Sequence, residues 1–297
     1  MASDNLRGIF LMVASMALFG LEDMFLKWAA ADLPTGEIVF ISGAFGMPVF
    51  ALMARRSGRR VFTRAAWHRA VIARNIGEMV GTLGYITALA TVPLSTVSAV
   101  LQAMPLAVTM AAALFMQEQV GWRRWTAIAV GFAGVLLVIR PGVAGFRPEA
   151  LWVLLTVAGL TLRDLSTRMI PKDYTTAQVS AWGLAAVALL GVMMMVATGE
   201  VETPDLWQTS TLLGALIFGT AGYWAITAAA RTGEVSVVAP FRYVRLIFAV
   251  LIGAFVFAEW PDRLTLVGSA LIIASGLYSF ARERARKRAL SLTSIPR

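Results

Sequence analysis

The amino-acid sequence predicts an all-α integral membrane protein: ten transmembrane helices in two inverted five-helix repeats, with both termini cytoplasmic. Three observations carry that fold class. The 297 residues are 58% hydrophobic and only 14% charged, with a mean hydropathy of +0.73, whereas soluble domains hold roughly 45–50% apolar and about 25% charged residues. Apolar segments of about 18–23 residues, each long enough to cross the hydrocarbon core, recur with short breaks. Polar residues inside those segments come into register when the chain is shifted by 141 positions.

The segments can be taken in order. The first, 8–30, contains FGLEDMFLKW from Phe19 to Trp28, which sets Glu22, Asp23 and Lys27 in otherwise apolar sequence. Those charges and the segment's length count against a cleaved leader, although Ala29, Ala30 and Ala31 imitate a cleavage site. The second, 37–54, is followed by Arg55, Arg56, Arg59, Arg60 and Arg64. The third, 70–91, holds Asn75, Glu78 and Tyr85, and the fourth, 94–116, holds Gln102 and Pro105. The fifth, 122–139, carries the small residues Ala127, Gly131 and Gly134. The sixth, 150–170, contains Arg163, Asp164 and Arg168; the seventh, 176–197, leads into Glu200, Glu202 and Asp205. Tyr223 and Trp224 lie in the eighth, 207–229, and Pro240, Arg242, Tyr243 and Arg245 in the ninth, 235–257. The tenth, 263–281, carries Gly268, Ala270 and Gly276 and runs into Arg282, Arg284, Arg286, Lys287 and Arg288.

Loop charge sets the orientation. Arginines crowd the connection after the second segment and the C-terminal tail, while acids fill the connection after the seventh, so the positive-inside rule puts both termini in the cytoplasm. Arg140 and Arg147 fall on the outer side against that trend. The basic tail reads as an anchor beside anionic lipid. The net charge of +9 lies in short blocks between apolar runs, a placement that does not suit nucleic-acid binding.

The 141-residue shift places Asp23 on Asp164, Lys27 on Arg168, Thr35 on Thr176, Glu37 on Gln178 and Glu118 on Glu259. GLEDMFLKW thus reappears as TLRDLSTRM at 161–169. The expected division is 1–140, a first five-helix unit; 149–281, a second; and 282–297, a basic cytoplasmic tail. Five is an odd number, so the second unit crosses the membrane in the opposite sense, a pattern found in secondary transporters whose halves rock around a midplane site.

Two stretches carry a family resemblance: ALATVPLSTVSAVLQAMPLAVTMAAALFMQE (88–118) and AAARTGEVSVVAPFRYVRLIFAVLIGAFVFAE (228–259). Each runs from a small-residue helix end through a turn into a proline-bearing helix and then an acidic loop. In this the chain resembles EamA-type transporters of the drug/metabolite transporter superfamily, over nearly its whole length. The opening LRGIFLMVASMALFG and the D-x-x-x-K pattern look most like members assigned to S-adenosylmethionine or riboflavin uptake. The resemblance implies a carrier of small organic metabolites.

Candidate functional residues follow from depth. A charge at the bilayer centre costs about 2.5–3.5 kcal/mol on insertion scales, so it normally faces a partner or an aqueous path. Arg242 and Arg245 lie about 7–10 residues, or roughly 10–15 Å, into their segment, after Pro240, which interrupts a helix. Pro105 plays the same part just after Gln102. Glu78 sits at similar depth, with Asn75 one turn earlier. Arg242, Arg245, Glu78, Gln102 and Asn75 are therefore expected to form a substrate-binding cluster, with Tyr85, Tyr223, Trp224 and Tyr243 as amphipathic walls or as residues of the interfacial belt. An arginine pair suits a carboxylate, and Glu78 suits an amino group or a coupled proton.

Glu22, Asp23 and Lys27, with Arg163, Asp164 and Arg168, are expected at two gates. Asp23–Lys27 and Asp164–Arg168 are each spaced i, i+4 and can pair locally, either as gate elements or simply to let a helix end reach the interface. The small-residue runs suit helix packing within a monomer or across a homodimer.

Cysteine is absent and His68 is the one histidine, which removes thiol chemistry and most zinc sites. No H-E-x-x-H or phosphate-loop motif occurs, so neither an enzyme nor a bound cofactor or metal is expected. The predicted function is a secondary carrier in the cytoplasmic (inner) membrane, moving a carboxylate-bearing amino-acid derivative or vitamin-like metabolite by alternating access. A broad-specificity exporter, a passive channel and an integral-membrane enzyme are the alternatives. Membrane lipid and the small-molecule substrate are the expected partners, with no nucleic acid.

Overall fold

The protein is described by a computed structural model covering residues 2–61, 63–142, 146–171, 173–232 and 234–293. The basic side chains Arg286, Lys287 and Arg288 of the expected tail, and residues 294–297, lie outside the described residues. All the regular structure described is helical: α1 (Ala2–Asp32), α2 (Thr35–Arg56), α3 (Arg69–Thr91), α4 (Leu94–Leu101), α5 (Met104–Phe115), α6 (Trp122–Ile139), α7 (Leu151–Arg168), α8 (Thr176–Thr198), α9 (Leu206–Thr232), α10 (Val235–Val238), α11 (Arg245–Val256) and α12 (Arg263–Thr293), with short 3-10 turns between some of them.

Among the described residues nine helices are long and apolar enough to cross a membrane, taking α4 with α5 and the 3-10 turn Ala239–Val244 with α11. The chain is thus a multi-pass membrane protein, with nine such spans where the sequence suggests ten. The remaining segment, 70–91, does form a helix of 23 residues. Arg69, Arg74, Asn75 and Glu78 within it make α3 less apolar than the others.

Local chemistry explains the breaks. Pro34 and Pro93 sit directly before α2 and α4, positions where a proline costs no helical hydrogen bond. Thr175 and Gln178 make a reciprocal cap at the start of α8, satisfying backbone donors that the first helical turn leaves free. The fourth expected span divides at Gln102 and Ala103, and Pro105 lies in the first turn of α5. The ninth divides into α10, a 3-10 turn beginning beside Pro240, and α11.

The most extensive helix pairings are α1 with α9, α2 with α8, α3 with α7 and α6 with α12. Each joins an element before residue 140 to one after residue 148, so the two parts of the chain interleave. Exchanging the two parts maps this pairing onto itself. Close approach at two of the seams uses glycine: a Cβ on Gly134 of α6 would stand 2.7 Å from the Gly268 carbonyl oxygen of α12, and one on Gly268 would stand 2.6 Å from that of Gly134. The small residues of these two helices are therefore used within the chain. Along α3 and α7, Gly77 lies against Arg163, Gly81 against Leu160 and Gly84 against Thr156, which makes the two helices antiparallel.

Candidate functional site

Ionisable side chains occur at successive levels along α3, and each level draws on both parts of the chain. Near the N-terminal third of α3, Arg74 Nη2 contacts Glu78 Oε2 at 2.6 Å, one helical turn away. Arg163 Nη1 of α7 reaches the other Glu78 oxygen at 3.3 Å, and its Nη2 lies 2.9 Å from Asp164 Oδ1. Arg74 is buried against Gly183 of α8 and also donates to Asn75 Oδ1 at 3.4 Å. Tyr223 of α9, set edge-on against Phe50 at 4.9 Å, is within electrostatic range of Arg74.

Seven residues further along α3, or about 10 Å, stands a second level. Asp23 of α1 is fully buried. Arg245, the first residue of α11, donates from Nη2 to both its oxygens at 2.8 and 2.9 Å and from Nε at 3.3 Å. The Tyr85 hydroxyl donates to Asp23 Oδ1 and accepts from Arg245 Nη2 at 3.1 Å. The guanidinium also lies 5.4 Å from the centre of the Phe19 ring. Fork-on-carboxylate geometry with charged partners makes this the strongest type of polar contact available in a dry interior.

Arg242 and Glu22 stand outside these pairings. Arg242, in the 3-10 turn before α11, is exposed and within electrostatic range of Asp164, Arg245 and Arg163. Its side chain makes no ion pair or hydrogen bond among the described residues. Glu22 is half-buried, with its carboxylate set against Gly219 of α9, and it too has no such partner among the described residues.

At the C-terminal end of α3, Lys27 Nζ lies 3.0 Å from Glu259 Oε1 and donates to the Val92 and Leu89 carbonyl oxygens at 2.8 and 3.3 Å. Glu259 Oε2 in turn accepts from the Leu94 backbone N–H at 2.9 Å. At the opposite end, Arg168 Nη1 contacts Glu118 Oε1 at 3.1 Å. The antiparallel course of α7 puts these two pairs about 25–30 Å apart along α3. The Lys27–Glu259 side chains are only 11% and 24% exposed, while both members of the other pair are 48% exposed.

Several expectations are corrected by this arrangement. Neither local i, i+4 pair forms: Asp23 goes to Arg245 and Lys27 to Glu259, while Asp164 goes to Arg163 and Arg168 to Glu118. In each case a partner on another element, or next door, lies in better reach than the residue one turn away. Arg242 and Arg245 do not act as a matched pair, because Asp23 already holds Arg245. Glu78 is likewise held by two arginines, which leaves it poorly placed to bind an amino group or carry a proton.

Gln102 faces backbone, donating from Nε2 to the Tyr243 and Arg242 carbonyl oxygens at 3.0 and 3.4 Å. It thereby satisfies acceptors that the broken ninth span leaves open. Tyr243 turns its hydroxyl toward Gly276 of α12. Trp224 is 65% exposed; it lies about 100° round α9 from Tyr223 and does not join the cluster. Sequence reasoning missed Arg74, whose i, i+4 spacing from Glu78 was the available signal. It also gave no pairing role to Glu118 and Glu259, although the 141-residue shift had already related them.

Comparison with known proteins agrees with this architecture. The chain is 24% identical to an S-adenosylmethionine uptake transporter of Rickettsia bellii (strain RML369-C), over 93% of this chain and 94% of that one. It is 25% identical to a riboflavin transporter of Rhizobium johnstonii, over 95% and 93%, and 24% identical to a pseudopaline exporter of Pseudomonas aeruginosa, over 90% and 94%. A solved crystal structure superposes with a TM-score of 0.60 at 19% identity, covering 97% of this chain and 99% of that one, a likeness of fold. The profile of the EamA-like transporter family matches twice, at residues 6–140 and 147–280, and the protein is a member of that family.

Proposed function

We propose that the protein is a secondary carrier that moves a small, carboxylate-bearing organic metabolite across the cytoplasmic membrane by alternating access. The two halves, 1–140 and 149–281, form inverted five-helix repeats with both termini on the cytoplasmic side, and the residues after 281 form a basic tail. The observation that carries this reading is the crossed pairing at the two ends of α3. Lys27 and Arg168 are related by the 141-residue shift, as are Glu118 and Glu259. Lys27–Glu259 joins the first half to the second, and Arg168–Glu118 joins the second to the first. Ion pairs so related are positioned to close a path at either end, with the charged levels between them. Both pairs are formed in this structure, the Lys27–Glu259 pair being the less exposed of the two.

Arg140, whose outer position ran against the loop charges, contacts Asp262, so its charge is met locally and does not oppose the proposed orientation. The relatives named above include two whose names describe uptake or transport and one described as an exporter. Purified protein in proteoliposomes loaded with unlabelled S-adenosylmethionine should take up the labelled compound saturably, and faster than unloaded vesicles. Flux that rises linearly with concentration and ignores internal solute would indicate a channel and overturn the carrier reading.

A further inference from the structure

We infer that the central site takes a zwitterion, with Arg242 holding its anionic group and Glu22 its cationic group. This rests on the transporter reading and names the substrate class that reading leaves open. The charges of the two central levels are almost completely matched inside the protein: Arg74 with Glu78, Arg163 with Asp164, Arg245 with Asp23. Among the described residues Arg242 and Glu22 are left without an ion pair or hydrogen bond, one basic and one acidic, and an isolated ion within the hydrocarbon thickness is costly.

The two residues flank the same pair. Glu22 adjoins Asp23 but points about 100° away around α1, and Arg242 lies three residues before Arg245. Glu22 is within electrostatic range of Asp23 and Arg245, and Arg242 of Asp164 first and then of Arg245. Gly219 leaves room for the Glu22 carboxylate, because a Cβ there would stand 2.7 Å from Glu22 Cδ. Arg242, exposed although its turn occupies a membrane-spanning segment, presents five N–H donors in a fork suited to a carboxylate. A mono-anion would leave Glu22 unmatched and a cation would leave Arg242 unmatched, whereas a ligand with both charges matches the two at once. A neutral heterocycle would match neither.

The test is thermal stabilisation of the purified full-length protein by two matched probe sets. One is L-methionine with 4-(methylthio)butanoate and 3-(methylthio)propylamine; the other is 6-aminohexanoate with hexanoate and hexylamine. The sets differ in the distance between their charges. In at least one, the zwitterion should bind about tenfold to a hundredfold more tightly than either singly charged member, the range of one charge-assisted hydrogen bond. Glu22→Gln should bring the zwitterion down to its carboxylate analogue, and Arg242→Gln should bring it down to its amine.

Melting without probe reports the folding of each variant, and Arg242→Lys should keep part of the zwitterion preference. Zwitterions that bind no better than their singly charged members, fail to bind in both sets, or keep their advantage in Glu22→Gln would overturn the inference. A zwitterion advantage that is unchanged in Glu22→Gln while flux becomes independent of a pH gradient would make Glu22 a proton site, and would also overturn it. Binding with the expected pattern but without counterflow would remove the carrier reading and leave the ligand class standing.

Discussion

Asp23 shows how the membrane interior selects a partner. One helical turn separates it from Lys27, yet Lys27 extends to the Val92 carbonyl and Glu259, and the buried Asp23 meets a guanidinium 222 positions away. Removing one member of a buried pair strands the other, at a cost of about 3–5 kcal/mol. Asp23→Asn should therefore lower thermal stability in detergent far more than Tyr85→Phe, which removes one hydroxyl and costs about 1.5–3 kcal/mol at most. Restoring most of the loss by adding Arg245→Met to Asp23→Asn would confirm that the stranded charge is the cause. Equal losses for the two single variants would contradict it.

Asp262 gives the contrasting exposed case. Its contact with the Arg140 guanidinium lowers its carboxyl from 3.8 to about 2. A depressed folded-state value means stability that is present above the unfolded-state value near 3.8 and lost as pH falls toward about 2. The side chain is 52% exposed, so solvent screening keeps the contribution small. Parent protein should melt slightly above Asp262→Asn at pH 6, and the gap should close as the pH is taken below about 4. At this scale the sequence disclosed which residues were too polar for their surroundings. Spacing within one helix, however, is silent about partners on others, and so Arg242 and Arg245 looked alike when only one of them is held.

At the scale of elements the breaks were legible and the inter-helix seams were partly so. Pro105 and Pro240 mark interruptions of spans four and nine because proline lacks a donor and cannot continue the ladder. That Gln102 of one broken span would satisfy carbonyls of the other was not readable, since it depends on the two breaks meeting in space. The small residues of α6 and α12 indicated close packing but not with which helix. Gly134 and Gly268 each face the other's carbonyl, and Gly134→Val should force the two helices apart, costing about 1–3 kcal/mol by overpacking. Gly121→Ala, where an added Cβ meets nothing within 4 Å, should leave the melting temperature close to that of the parent. Comparable behaviour of the two variants would mean that the α6–α12 seam contributes little to stability.

For the whole molecule, the 141-residue register was the most informative feature of the sequence, since it related all four residues of the crossed pairs before any contact was known. It could not say which residues would touch, because a shift relates equivalent positions rather than neighbours. Absence of native cysteine allows the alternating-access proposal to be tested directly, with a single cysteine in place of Phe19, beside the Arg245 guanidinium. Lys27→Glu sets like charges against each other at the buried end and should raise labelling by an impermeant maleimide from that side. Arg168→Glu should raise it from the opposite side, and by less, because an exposed pair contributes about 0.2–1 kcal/mol.

Charge exchange separates a latch from a merely structural contact. Arg168→Glu with Glu118→Arg should return labelling and counterflow to parental levels, since only the mutual attraction of the two side chains is at stake there. Lys27→Glu with Glu259→Lys should recover only in part, because Glu259 also accepts the Leu94 N–H and Lys27 also donates to Val92 and Leu89, functions that the exchanged residues cannot perform. Labelling that changes on the same side for both single variants, or an Arg168/Glu118 exchange that restores neither readout, would mean that the two pairs are not alternative closures of one path.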